Sequence, residues 1–314
     1  MFFLRKISKK PGWLALNFQS EGICLAHILR ITDRKPAVTL CKLSEGGETD
    51  TPRLEKLAKE LRLEQYQCTT LLKAKEYQML LVEAPNVPNA ELKTAIRWRV
   101  KDMLDYPVDE ATFDVLDIPP EQGALTKSHS MYAIAAPNKV IQQRQAQFEQ
   151  ARIPLRAIDV MEMAQRNISA LMEPEQRGLA MLSFDSEGGL LTITYSGELY
   201  LSRRVDVSAR QLIEADPQQK AVYHDRITLE MQRSLDHFDR QFHFITLAKL
   251  LLAPMQGVEG LREYLSANMY VPVEILDLAD VFDFSAVPEL VRQERQSLYF
   301  ATLGAALRLE EILA

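Results

Sequence analysis

The feature that most restricts the fold is a pattern that occurs twice. Near the start, Trp13 to Phe18 reads as a strand and Gln19-Ser20-Glu21-Gly22 as a turn; Ile23 to Ile28 returns as a second strand and Ala37 to Cys41 gives a third. After residue 176 the order repeats. Leu179 to Phe184 is a strand, Asp185 to Gly189 a turn, Leu190 to Tyr195 a strand, and Ser196-Gly197 turns the chain into Glu198 to Val207. No repeat of about 20–50 residues is visible, so the recurrence predicts two related domains and not a solenoid. A length of 314 residues agrees, at roughly 150 residues per domain.

Between these halves the chain breaks at Pro85-Asn86-Val87-Pro88. A helix follows with Leu92, Ile96, Val100 and Met103 at helical spacing, ending at Tyr106-Pro107. Strands over Phe113 to Ile118 and Ser130 to Ala135, then a helix opening at Pro137-Asn138, complete a compact insert. The expected layout is residues 1–84 and 157–176 for the first domain, 85–156 for the insert and 177–314 for the second domain. In the last of these, Ile227, Met231, Leu235, Phe238 and Phe242 stripe a long helix. Helices over Gly257 to Ala267 and Leu298 to Leu313, with a strand over Val271 to Leu276 between them, finish the chain. The class is α/β.

Composition narrows the function. The net charge of −6 argues against a nucleic-acid binder, which carries a basic excess. Twelve glycines in 314 residues is low against a usual ~7%, and phosphate-cradling loops consume glycine. No run of 18 apolar residues occurs, and the start places Phe2, Phe3 and Leu4 before Arg5, Lys6, Lys9 and Lys10, the reverse of a signal peptide. These readings predict a cytoplasmic chain. Cys24, Cys41 and Cys68 lack metal-ligand spacing and read as small core residues.

Catalytic motifs are missing: no G-x-x-x-x-G-K-[ST], G-x-G-x-x-G, G-x-S-x-G or H-E-x-x-H occurs. Asp239 and His243 stand four apart on a helix, yet two ligands without a third do not make a metal site. Asp102, Asp105, Asp109 and Glu110 read as a solvated helix end, Arg203-Arg204 as an exposed strand face, and Trp98 as packing. No catalytic or metal-binding constellation emerges.

Several segments together resemble the PilM family of actin-like type IV pilus biogenesis proteins, most of all its branch from the mannose-sensitive haemagglutinin (MSHA) pilus. Lys10-Pro11-Gly12-Trp13-Leu14-Ala15-Leu16 is similar to the family's basic start and first strand. Ala95-Ile96-Arg97-Trp98-Arg99-Val100 through Tyr106-Pro107-Val108-Asp109-Glu110 resembles the helix and turn of its inserted subdomain. Leu229-Glu230-Met231-Gln232-Arg233-Ser234-Leu235-Asp236-His237-Phe238 is similar to its L-x-x-E-I-x-R-S-L-D-Y-Y helix, and Phe300 to Arg308 to its A-x-x-L-G-L-A-L-R terminal helix. The resemblance implies an actin/Hsp70-like fold: duplicated RNase H-like lobes around a cleft, an inserted α+β subdomain in the first lobe, and a shortened covering subdomain in the second.

In the family, ATP sits in that cleft on two strand–turn–strand loops, each with an Asp and a Gly. This chain departs from that pattern. Asn17, Gln19 and Ser20 stand in the first phosphate loop, with Glu21 adding charge; Ser183 and Asp185 stand in the second, followed by Glu187. The family's adenosine-side glycines fall on Leu251 to Pro254, leaving Gly257 nearby. Two unit charges ~4 Å apart at an effective dielectric of ~20 repel by about 4 kcal/mol, so a triphosphate beside those carboxylates binds poorly. The expectation is a degenerate site with no catalytic residue, no metal and no cofactor, Mg-ATP binding only if the site works after all.

The resemblance further implies a scaffold at the cytoplasmic face of the inner membrane. Its partners would be the cytoplasmic N-terminal peptide of a PilN-like inner-membrane protein, held in a groove between first lobe and insert, and the hexameric pilus assembly ATPase; membrane association would come through these partners. Arg97, Trp98 and Arg99 are the candidate wall of that groove. Two alternatives stay open: an active actin-like ATPase, and the cytoplasmic piece of a type II secretion L-like protein, which would require a longer parent chain.

Overall fold

A computed structural model describes residues 9–46, 51–121 and 130–309. Arg5, Lys6, His129 and the end of the expected terminal helix lie outside the described residues.

The first strand, β1 (Trp13–Gln19), is almost wholly buried, as its unbroken apolar run requires of a central strand. It pairs antiparallel with β2 (Gly22–Leu29), which pairs antiparallel with β3 (Ala37–Glu45). After α1 (Thr51–Leu61), β4 (Gln67–Leu71) lies parallel to β1 on its other side. The chain then leaves this sheet. β5 (Gln78–Glu83), α2 (Asn89–Val100), β6 (Ala111–Asp117) and β7 (Ser130–Pro137) build the insert, a three-stranded sheet in the order β5-β7-β6. Sequence reading placed β5 with the first domain. The structure corrects this: β5 pairs with β7 from Gln78↔Ala135 to Glu83↔Ser130. A lone strand cannot declare its neighbour, because pairing is settled by tertiary contact.

The helix α3 (Asn138–Gln150) carries the chain back, and its Phe148 packs with Leu54 and Leu57 of α1 against Leu14, Leu16 and Phe18 of β1. β8 (Leu155–Asp159) then joins β4 in parallel. The finished sheet has the order β3-β2-β1-β4-β8.

After α4 (Met161–Ser169) the same construction repeats. β9 (Gly178–Phe184), β10 (Gly189–Tyr195) and β11 (Glu198–Val205) form an antiparallel meander. The short α5 (Ala209–Glu214) and the 25-residue α6 (Pro217–Gln241) follow, each opened by a capping box: Ser208 with Gln211, and Asp216 with Gln219. β12 (Leu247–Leu252), α7 (Val258–Asn268) and β13 (Val273–Ile275) complete a second sheet, β11-β10-β9-β12-β13. The two sheets share strand order and direction, which is the duplication that the repeated sequence pattern predicts. β8, β12 and α5 had not been read from sequence. The run Leu247-Ala248-Lys249-Leu250-Leu251-Leu252 carries the short apolar stretch expected of a buried parallel strand.

The last helix, α8 (Gln293–Ala306), decides how the lobes meet. It packs on the first sheet, while α4, which follows that sheet in the chain, packs on the second. Ala15, Cys24 and Ala26 of the first sheet, Leu179 and Met181 of the second, Ala164 and Ile168 of α4, and Tyr299, Phe300 and Leu303 of α8 form one continuous core. Where α4 crosses α8, Gly304 is required: a Cβ there would stand 2.2 Å from the carbonyl oxygen of Ala164. Asn167 Nδ2 donates to the Gly304 carbonyl (3.0 Å) at the same crossing.

Candidate functional site

The two phosphate-loop candidates occupy equivalent turns, β1–β2 and β9–β10. In the first, Gln19 pairs with Gly22 across the two-residue turn Ser20-Glu21. The Gln19 side chain reaches into the lobe junction, where Nε2 donates to the Leu298 carbonyl of α8 (3.2 Å) and Oε1 accepts from Cys24 Sγ (3.4 Å). Burial, with Glu21 adding to it, raises the Cys24 thiol to about 12, so it donates as a neutral thiol. Ser20 Oγ donates to its neighbour Glu21 (2.9 Å), and Asn17 sits half-buried in β1 opposite Cys24. Gly22 is needed for packing, since a Cβ would stand 2.1 Å from the Ser44 carbonyl oxygen of β3.

In the second turn, Ser183 is buried and faces α4, where its Oγ donates to Gln165 Oε1 (2.6 Å). Gln165 Nε2 donates onward to the Met181 carbonyl, Thr192 Oγ1 and the Leu190 carbonyl (2.8, 2.9 and 3.2 Å). Asp185 turns its carboxylate onto its own loop. Oδ1 accepts from the backbone N–H groups of Glu187 (2.7 Å) and Gly188 (2.9 Å), and the Asp185 N–H donates to the Gly188 carbonyl (2.9 Å). The amides that such a turn could offer an anion are thus taken by the side chain two and three residues back. Glu187 in turn meets Lys75 Nζ at 3.5 Å.

Where the resemblance expects adenosine, β12 is followed by buried Ala253 and Pro254, with the Ala253 N–H donating to the Leu182 carbonyl (2.9 Å). Gly257 precedes α7 at φ +74°, with nothing within 4 Å of where a Cβ would stand.

The structure does not bring Arg97, Trp98 and Arg99 to the junction of first lobe and insert. Residues alternate faces along a strand, and α2 covers the sheet face bearing Leu80, Val82, Ala133 and Val115. The opposite face, with Met79, Tyr132, Ile134 and Leu116, meets the lobes. On α2, Ile96 and Val100 point into the sheet, while Trp98 is 68% exposed, so the packing role read for it fails. Lys101 Nζ stands 5.9 Å from the Trp98 ring centroid; Arg97 pairs with Asp109 (2.7 Å) and Arg99 with Glu83 (3.7 Å). The junction itself holds a cavity of about 110 Å³, lined by Phe18 of β1, Lys73 and Glu76 after β4, and Val140, Gln143, Arg144 and Gln147 of α3. Buried Arg144 forms its floor: the guanidinium lies over Phe18 (4.8 Å), donates to the Leu71 carbonyl (2.8 Å) and pairs with Glu76 (3.1 Å).

Sequence reading also missed Tyr77, Glu162, Gln165 and Arg204, which carry buried polar contacts. One signal was present. Arg203 and Arg204 are adjacent on a strand, so their side chains point to opposite faces. Both are exposed along their stems, but the Arg204 guanidinium meets buried Glu162 at 3.0 Å. The Asp239 and His243 pair makes no centre, since Asp239 accepts from the Tyr270 hydroxyl (2.8 Å). No group of three or more His, Cys, Asp or Glu stands together for a metal among the described residues.

Two five-stranded sheets of like topology, with helices exchanged between them, can be compared with solved structures. The chain is similar to a PilM–PilN type IV pilus biogenesis complex structure, at a TM-score of 0.70 and 19% identity over 95% of this chain and 98% of that one. It is also similar to a Bacteroides thetaiotaomicron protein with an actin-like ATPase fold and unknown function, at a TM-score of 0.50 and 11% identity over 93% and 99%. The fold is actin-like. At these identities the likeness reaches the fold alone. No family model matches the sequence, and no curated protein does. The two turns described above are those that the sequence resemblance assigns to the phosphate loops.

Proposed function

We propose that this actin-like chain is a non-catalytic scaffold of type IV pilus assembly, of the MSHA type. It would act at the cytoplasmic face of the inner membrane, binding the cytoplasmic N-terminal peptide of a PilN-like membrane protein and linking it to the hexameric assembly ATPase. Support for the partner comes from the sequence resemblance and from likeness in fold to a chain of the PilM–PilN complex over nearly its whole length. Among the described residues no helix is long and apolar enough to cross a membrane. An attachment through partners agrees with that.

The observation that carries the non-catalytic reading is Asp185, whose carboxylate occupies the Glu187 and Gly188 amides. With Gln19 drawn to α8, Ser183 drawn to Gln165, and Glu21 and Glu187 adding negative charge, these residues do not fit a triphosphate. A thermal-shift titration tests this. A ligand at ~100 times its dissociation constant adds about 2.7 kcal/mol of stability and moves the midpoint by several degrees. No shift with millimolar Mg-ATP is expected; a magnesium-dependent rise would restore the ATPase reading.

The peptide is placed at the junction cavity beneath α3. Its lining mixes an aromatic ring, an aliphatic side chain and both signs of charge, as recognition of an extended peptide needs. Fluorescence anisotropy with a labelled N-terminal peptide of a PilN-like protein gives the test. Gln143→Trp, which fills the cavity from an exposed position, should abolish binding, and Trp98→Ala should leave both binding and stability nearly unchanged. The reverse result would move the groove to α2.

A further inference from the structure

A cleft that opens and closes on a ligand needs lobes free to part. Here polar contacts around a buried carboxylate tie the insert of the first lobe to the second lobe. Tyr77, 7% exposed at the entry to β5, donates its hydroxyl to Glu162 of α4, which is 2% exposed. Arg204 of β11, in the sheet on which α4 packs, reaches the same carboxylate: Nη2 donates to Glu162 Oε1 (3.0 Å) and to the Tyr77 hydroxyl oxygen (2.8 Å). The three groups close a ring in which one carboxylate meets one guanidinium. Burial, and after it the Glu162 charge, holds the Tyr77 phenol well above its usual range, so it remains a donor.

A second contact lies beside the first. β11 is the edge strand of the second sheet, so alternate backbone groups along it face away from β10. The Tyr132 hydroxyl of β7 accepts from the Ser202 N–H (3.0 Å) and donates to the Tyr200 carbonyl (3.4 Å), two residues apart on that edge. A phenol from the insert thus completes the sheet edge. Ile118 and Tyr132 share one apolar cluster with Tyr200, Leu201 and Val205, sealing the contact from water. The Lys75–Glu187 pair at the rim is exposed on its lysine side and adds little.

We propose that Tyr77, Glu162, Arg204 and Tyr132 form a latch that holds the insert against the second lobe. The inference stands on this geometry and does not depend on the pilus reading. Parting the insert from the second lobe would take the Tyr77 hydroxyl from a buried carboxylate and return an edge N–H and a carbonyl to water. The insert and the second lobe therefore stay in contact by default.

Hydrogen exchange at the Ser202 amide reads the latch directly, because that N–H has its partner across the lobe boundary. In the full chain it should exchange slowly. Arg204→Met should raise its rate about tenfold or more while the amides of central strand β9 keep theirs. Tyr132→Phe should speed Ser202 alone. If Arg204→Met does not fold, Tyr77→Phe keeps the ring, removes one hydroxyl and should give the same rise. Fast exchange at Ser202 in the unaltered chain, or an unchanged rate in a folded Arg204 or Tyr77 variant, overturns the proposal.

Discussion

The β1–β2 and β9–β10 turns are copies of one construction, yet their side chains are satisfied in different ways. At β1–β2, Gln19 spans to a helix from the far end of the chain. At β9–β10, Asp185 folds back on its own amides, and Ser183 is held by Gln165 from α4. Both turns keep a glycine facing the third strand of their meander: the Gly22 Cβ position is 2.1 Å from the Ser44 carbonyl oxygen, and that of Gly188 is 2.8 Å from the Val205 one. The glycines are retained by strand packing in both lobes, while the residues around them have taken separate routes. The backbone of a duplicated fold constrains its turns more tightly than its side chains do.

Substitutions can break this comparison, in descending order of effect. Gly304→Ala should strike both lobes at once, since its methyl would meet the backbone of α4 where the exchanged helices cross. A loss of about 3 kcal/mol, seen as a lower midpoint in urea unfolding, is expected for such overpacking. Gln165→Leu should cost about 2 kcal/mol, because Ser183 and Thr192 lose their buried partner. Gln19→Leu should cost about 1 kcal/mol, its turn being only half-buried. Equal losses in paired thermal melts would mean that the two turns are held alike.

The smallest effect concerns acid. His27, buried in β2, accepts from Thr39 (2.5 Å) and donates to the Pro11 carbonyl (3.0 Å) as a neutral ring. Burial lowers its pKa below 6.5; nearby Lys10 adds to this and the Pro11 bond opposes it. The folded state then binds fewer protons than the unfolded one. Stability is complete above the unfolded pKa and is lost as pH falls from ~6.5 toward the depressed folded value. His27→Gln should flatten that slope in unfolding midpoints taken between about pH 5 and 7.

Much of the fold was legible because its signals are local. Short, largely apolar runs bounded by turn residues marked β1, β2, β9, β10 and β11. The 3.6-residue stripe of Ile227, Met231, Leu235 and Phe238 marked α6, although its true start at Asp216-Pro217, a capping box, was overlooked. The candidate site was legible only in outline. The positions Asn17, Gln19, Ser183 and Asp185 could be found by likeness, but where their side chains turned could not. Trp98 shows the same limit from the other side: an aromatic residue in an amphipathic helix reads as packing until the helix phase shows it facing solvent.

The sequence alone determined two strand–turn–strand units, an interposed module, and turns rich in acid and poor in glycine, because hydrophobic period and residue chemistry act over a few neighbouring positions. Tertiary structure alone decided that β5 leaves the first sheet, that α4 and α8 exchange lobes across Gly304, and that Arg204 finds Glu162 and Tyr77. Those outcomes depend on contacts between residues 42 to 140 positions apart, as with Arg204 and Glu162 (42) or Asn167 and Gly304 (137). Such contacts are chosen by packing and by the cost of leaving a buried charge or amide unpaired, and neither is written in any one stretch of chain.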